Sequence, residues 1–113
     1  MHVSVVGNPD APVVVTVRGN LDIDSAAVLT TTLDQVLDVP LPRVVVDLSA
    51  IEFCDSTGLA AFILGHNRAV AGGGWLRLAG PNHFLTDLLE TVGLTTRIGV
   101  YPTVTEALAA TPS

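Results

Sequence analysis

Arg43-Val44-Val45-Val46-Asp47-Leu48 runs into Ser49-Ala50-Ile51-Glu52-Phe53-Cys54 and then into Asp55-Ser56-Thr57-Gly58-Leu59. The first six residues are mostly β-branched and apolar without alternation, the pattern of a strand buried on both faces of a sheet. The next six read as a short link. From Leu59 the period changes, because Leu59, Phe62, Ile63, Ala69 and Val70 recur at helical spacing. Gly72-Gly73-Gly74 closes that helix, and Trp75-Leu76-Arg77-Leu78 starts another strand. Strand, helix and strand in this order predict a crossover unit with parallel strands.

The flanks extend the same plan. Upstream, Val13-Val14-Val15-Thr16-Val17 lies between Pro12 and Gly19 and reads as a strand. Val3–Val6 reads as a shorter one, with Gly7-Asn8-Pro9-Asp10 as the turn between them. Ala26, Leu29, Leu33 and Val36 then fall on one helical face, with Asp22, Asp24 and Ser25 placed to cap it and Pro40 and Pro42 to end it. Downstream, Pro81 occupies a first helical position and Gly93 a C′ position, bracketing the stripe Phe84, Leu85, Leu88, Leu89, Val92. Leu94 follows as the hydrophobic residue of a Schellman ending. Ile98-Gly99-Val100 reads as an edge strand, and Thr103-Val104-Thr105-Glu106 as a capping box opening a last helix through Ala110. The expected class is α/β: one small, mixed, mostly parallel sheet flanked by about four helices, with an N-terminal β-hairpin. No linker, repeat or low-complexity stretch divides the chain, so residues 1–113 are expected to form a single domain with a core over about 13–110.

Composition narrows the function. The 113 residues carry 11 carboxylates against 5 cations, a net charge of −6, and every cation is an arginine. Five scattered arginines make no basic stripe, so nucleic acid is not an expected partner. Apolar runs such as Val13–Val17 fall far short of the roughly 20 residues of a membrane span, so no membrane insertion is expected. Met1-His2-Val3-Ser4 has no basic region before an apolar core, and the lone Cys54 has no disulfide partner within the chain. Both fit a cytoplasmic location.

The chemistry-bearing stretch is Phe53-Cys54-Asp55-Ser56-Thr57-Gly58-Leu59. It follows a buried strand and opens a helix, which puts it at the carboxyl edge of a parallel sheet, where α/β folds place their functional groups. The plain reading makes Ser56 or Asp55 an N-cap. The sharper one makes Ser56 a modification site or a nucleophile. A nucleophile would need a Gly-x-Ser-x-Gly elbow or a His–Asp pair at strand ends, and neither is present. His66 and His83 read as packing or surface residues. Gly72–Gly74 joins a helix to a strand, the reverse of a phosphate loop. His2, His66, His83 and Cys54 lack metal-ligand spacing, and the Asn20/Asp22/Asp24 loop lacks the glycine and distal glutamate of a calcium loop. Cys54 reads as a small core residue.

Gly19-Asn20-Leu21-Asp22 after a strand resembles the Gly-x-Leu-Asp turn of STAS domains, specifically those of bacterial anti-anti-sigma factors, or anti-sigma factor antagonists. Asp55-Ser56-Thr57-Gly58-Leu59 resembles that family's Asp-Ser-(Ser/Thr)-Gly-Leu signature. Gly73-Gly74, Pro81 and Val92-Gly93-Leu94 fit its spacing, and the likeness runs from about Val13 to Ala110. The resemblance implies a STAS fold and an unmodified form that binds an anti-sigma factor with GHKL-type serine kinase activity, thereby releasing a sigma factor. It implies that the kinase uses ATP to phosphorylate Ser56 and that a metal-dependent serine phosphatase removes the phosphate. Gly19, Asn20, Leu21, Asp22, Asp55, Ser56, Thr57, Gly58 and Leu59 would form the partner-binding surface, and the chain itself would have no catalytic residue, cofactor or metal. Two departures stand out: lysine is missing, and the second helix carries only Arg68 where relatives are often more basic. The alternative is a STAS scaffold, or a subunit of a signalling or lipid-transport complex, using the same surface without modification. A flavodoxin-like nucleotide-binding enzyme would need a glycine-rich strand-to-helix loop that the chain lacks.

Overall fold

A computed structural model describes residues 2–7 and 12–110. Five strands line up in the order β1-β2-β3-β4-β5: β1 (His2–Val6), β2 (Val13–Leu21), β3 (Arg43–Cys54), β4 (Trp75–Ala79) and β5 (Val100–Tyr101). β1 pairs antiparallel with β2, and the three other pairings are parallel. The expected mixed, mostly parallel sheet with an N-terminal hairpin is what forms. Apart from Gly7, the hairpin turn expected at Gly7–Asp10 lies outside the described residues.

Side-chain alternation divides the core between the two faces of the sheet. Val15 and Val17 of β2, Val44, Val46 and Leu48 of β3, and Leu76 and Leu78 of β4 point to one face. There they meet Leu29 and Leu33 of α1 (Ile23–Leu37), Phe62 of α2 (Ser56–Ala71), and Leu85 and Leu89 of α3 (His83–Thr91). Val45 and Ala79 point the other way, where Ala107 of the short α4 (Val104–Ala109) covers them. The radius of gyration, 12.5 Å, is that of a close-packed domain of this length.

Five local expectations change once tertiary pairing is in place. Gly19–Leu21 is the irregular end of β2, and Ser49–Cys54 is the second half of β3. These tails pair with each other, Gly19 with Ile51, Asn20 with Phe53 and Leu21 with Cys54, so each satisfies polar backbone groups that an isolated link would leave to water. A register shift at Gly19/Asn20 accompanies the positive φ of Gly19 (90°), a conformation that glycine adopts without strain. Pro81 stands outside α3, because Asn82 is the N-cap and its side chain accepts the Leu85 amide at 2.8 Å. Ile98 is no strand residue but a buried anchor ahead of β5, and α4 stops at Ala109.

Arg77 is the one cation buried among the described residues, 6% exposed. Its guanidinium lies 3.7 Å from the centre of the Trp75 ring, and its Nη1 donates to the Ala107 carbonyl at 2.8 Å. It therefore fastens α4 to the sheet through a cation–π contact and a charge-assisted hydrogen bond. Arg77→Ala is expected to cost about 2–3 kcal/mol in urea unfolding. A loss below about 0.5 kcal/mol, the level of an ordinary surface substitution, would remove Arg77 from that role.

Candidate functional site

The carboxyl edge of the sheet carries three helix N-termini side by side. Asp22 caps α1, Asp55 caps α2 and Asn82 caps α3. Each cap follows directly on a parallel strand or its short exit, because each strand must hand over to a crossover helix at this edge. The caps are also tied across the strands. The Asp55 amide donates to the Leu21 carbonyl at 3.1 Å, and Asn82 Nδ2 donates to the Ile51 carbonyl at 3.1 Å. The β2–α1 and β3–α2 junctions thus form one continuous surface.

Asp22 accepts the Asp24 and Ser25 amides while the Ser25 hydroxyl accepts the Asp22 amide at 2.9 Å, a complete capping box. Asp55 accepts the amides of Thr57 (2.9 Å) and Gly58 (3.3 Å) and the Thr57 hydroxyl. The Thr57 hydroxyl is the largest influence holding the Asp55 carboxyl below its ordinary range, followed among the favourable ones by the Gly58 and Thr57 amides. The Ser25 amide and hydroxyl act likewise on Asp22, against a smaller opposing effect from the nearby Asp55 charge.

Both carboxyls are thus more acidic folded than unfolded. Their stabilisation is present above the unfolded carboxylate value near 3.9 and is lost as pH falls through the lower folded values. The urea midpoint is expected to hold steady between about pH 7 and 5 and to decline below about 4. In an Asp22→Asn/Asp55→Asn chain the decline should be shallower, and an unchanged slope would assign acid sensitivity to other groups.

Ser56 is the first residue of α2, and the cap is Asp55, so the N-cap reading of the sequence settles on the aspartate. Ser56 is exposed, and its hydroxyl makes no hydrogen bond among the described residues. Thr57 is half-buried and its hydroxyl is committed to Asp55. Of the two adjacent hydroxyls, only Ser56 is open to an external reagent. Gly58 allows the junctions to close up, since a Cβ there would stand 2.7 Å from the Leu21 side chain and 2.8 Å from Cys54 Sγ. Cys54 itself is 2% exposed, and burial, helped by the Asp55 charge, pushes its thiol up to about 11, so it stays protonated at neutral pH.

The residues singled out in the sequence therefore divide by exposure. Asn20 and Ser56 are exposed, Gly19, Asp22, Asp55 and Thr57 are half-buried, and Leu21, Gly58 and Leu59 are buried. The last three shape the surface from beneath.

Sequence reasoning missed the apolar rim. Phe53 and Phe84 stack at 6.3 Å with 46% and 53% of their surfaces exposed, and Ile23, next to the Asp22 cap, is 71% exposed. A signal existed for Phe84, which lies one residue off the buried Leu85/Leu89 stripe. Arg97 was also missed: it lines a groove of about 390 Å³ together with Ser56, Leu59, Ile63 and Val92. Arg68, by contrast, is turned to α1, with Nη1 2.7 Å from the Asp34 carboxylate. His83 is exposed 3.6 Å from Asp87, and His66 is half-buried. Among the described residues no His/Cys/Asp/Glu group is arranged to hold a metal ion, and no helix is long and apolar enough to cross a membrane.

Comparison with known proteins gives a consistent fold. Residues 4–104 match the family model described as "Mlab, STAS domain". No curated protein sequence matches at a significant level. An anti-sigma factor antagonist from Mycobacterium paratuberculosis superposes with a TM-score of 0.85 at 27% identity, over 95% of this chain and 90% of that one. An anti-sigma-factor antagonist (STAS) domain protein from Planctomyces limnophilus gives 0.82 at 20% identity, over 94% and 93%. The Bacillus cell fate determinant SpoIIAA in its phosphorylated form gives 0.72 at 17% identity, over 94% and 96%.

Proposed function

The chain belongs to the STAS domain family, and on that premise we propose that it is an anti-sigma factor antagonist switched by phosphorylation of Ser56. The unmodified chain binds an anti-sigma factor that is also a GHKL-type serine kinase, and so releases a sigma factor. The kinase then transfers the γ-phosphoryl group of ATP to Ser56. The Oγ–P bond forms, the bond from that phosphorus to the ADP oxygen breaks, and the hydroxyl proton leaves to a base on the kinase. A metal-dependent serine phosphatase reverses the change by hydrolysis. The chain is a substrate and ligand in this scheme, not an enzyme, and it works in the cytoplasm without nucleic acid or a membrane anchor.

The observation that carries the proposal is the exposed, uncommitted Ser56 hydroxyl at the first position of α2, beside a Thr57 hydroxyl tied to Asp55. The surface around it is suited to a protein partner. Asn20, Asp22, Asp55 and Thr57 supply polar contacts, and Phe53, Phe84 and Ile23 supply the exposed apolar area that anchors interfaces. A relative at 27% identity bears the antagonist name.

Intact-mass spectrometry after incubation with ATP and an extract of the source organism tests this, with Ser56→Ala alongside. One added phosphate, absent from the variant, is the expected result. No phosphate on a folded chain, with the extract active on a control substrate, would overturn the switch. The second reading, a scaffold or a subunit of a signalling or lipid-transport complex, would then take its place. That reading draws on the matched family description, which names no switch.

A further inference from the structure

The groove beside Ser56 contains a cation that the switch as described leaves unused. One wall belongs to α2 (Ser56, Leu59, Ile63) and the other to the exit of α3 (Val92, Leu94, Arg97). Of the five arginines only Arg97 lines it. Arg68 is paired with Asp34, and Arg77 is buried against Trp75. Arg97 is exposed, and its guanidinium makes no ion pair among the described residues.

Its backbone, in contrast, is firmly placed. A 3-10 turn, Leu94–Thr96, leads into Arg97, whose amide donates to the Leu94 carbonyl at 3.1 Å. Leu94 and Ile98, on either side, are 3% and 1% exposed. An exposed arginine with a fixed backbone and no ion pair among the described residues lines the same small groove as Ser56, in a chain of net charge −6.

We propose that Arg97 is the phosphate-binding residue of the modified state: it draws the phosphoryl group on Ser56 into the groove between α2 and the Leu94–Thr96 turn. The inference rests on the reading of Ser56 as the phosphoacceptor and specifies what the modified side chain does. A phosphoserine brings roughly −1.5 to −2 charge next to Asp55, of which the helix N-terminus offsets only part, so a nearby cation decides where it settles. Arg97 offers a planar donor fork matched to phosphate oxygens. The held phosphate fills the groove in the same step, closing it to a partner's side chain. Modification then removes a binding feature as well as adding charge.

The test uses the full chain with phosphoserine incorporated at position 56 during synthesis, so it does not depend on any kinase. A phosphorus NMR titration reads the second ionisation of the phosphate, which lies near pH 6 for a free phosphoserine. In the otherwise wild-type chain it should be lower than in Arg97→Gln by about half a unit, the scale of an exposed ion pair, with Arg97→Lys in between. The difference should shrink at high salt. Because Arg97 is exposed, these variants should keep the wild-type circular dichroism spectrum. A difference below about 0.1 unit between wild type and Arg97→Gln would overturn the assignment, and that outcome leaves phosphorylation of Ser56 by a kinase intact. Conversely, if the half-unit difference is found but extracts never phosphorylate Ser56, the switch fails, and Arg97's role in a modified state is overturned with it although the two side chains do meet.

Discussion

A chain carrying phosphoserine at position 56 is expected to bind the anti-sigma factor proposed as its partner more than 100-fold more weakly than the unmodified chain. In the free protein the dianion is tolerated, because it sits in the first turn of a 16-residue helix with the positive end of the dipole beneath it. In the proposed complex the same dianion would lose water at a surface where Asp55 and Asp22 already stand. Like charge brought together and desolvated costs several kcal/mol, and a differential of about 3 kcal/mol gives the stated factor.

Ser56→Ala should stay folded and bind like the unmodified chain, because the helix cap is Asp55 and the Ser56 hydroxyl makes no hydrogen bond among the described residues. Ser56→Asp should weaken binding only partly, since one carboxylate has half the charge of a phosphate and fewer acceptor oxygens. Titration calorimetry of the four chains against the partner captured with the unmodified form decides the matter. Wild-type affinity for Ser56→Asp, or a change below about threefold on phosphorylation, would exclude a switch based on charge.

Gly74→Ala is expected to remove a large part of the protein's folding stability. A Cβ at this position would stand 1.6 Å from the Pro42 carbonyl oxygen and 2.5 Å from its carbon, both backbone atoms. The close approach is what starts the parallel pairing of β3 with β4: the Trp75 amide donates to the Pro42 carbonyl at 2.8 Å, and Arg43 pairs with Trp75 immediately after. No side-chain rotation relieves a clash with backbone. The two strand starts would have to separate, exposing Val44 and Leu76 of the main core.

A cost above about 4 kcal/mol is a large part of the 5–15 kcal/mol that holds a typical domain together. Gly93→Ala is the control. Its φ is 76° but a Cβ there meets nothing within 4 Å, so only backbone strain of about 1 kcal/mol is involved. Urea unfolding of both variants separates crowding from strain. Equal midpoints would show that the Pro42 contact relaxes more cheaply than its geometry implies.

Much of this protein could be read along the chain because the decisive signals are local. The β-branched run Arg43–Leu48 and the helical stripes of α1 and α3 depend on spacing within a dozen residues, and capping depends on three or four. Asp22 among its three candidates and Asp55 among its two do cap, and Thr103 accepts the Glu106 amide, one half of the capping box its spacing implies. Phe84 and Val92 belong to the expected stripe of α3 yet are 53% exposed, because Leu85 and Leu89 already fill the contact with the sheet. Periodicity identifies an apolar stripe but not how wide a part of it the neighbouring layer covers.

By itself the sequence determined the order of elements, the parallel sheet with its antiparallel first strand, and the placing of Asp55 and Ser56 where a strand hands over to a helix. Those follow from residue type and spacing, which act over one or two turns of chain. Tertiary structure alone decided that the Gly19–Leu21 and Ser49–Cys54 segments are strands, since each is completed by hydrogen bonds to the other about 30 residues away. It alone brought Phe53 against Phe84 and put Arg97 in the groove with Ser56. Such juxtapositions leave no local trace, because the packing of distant elements creates them.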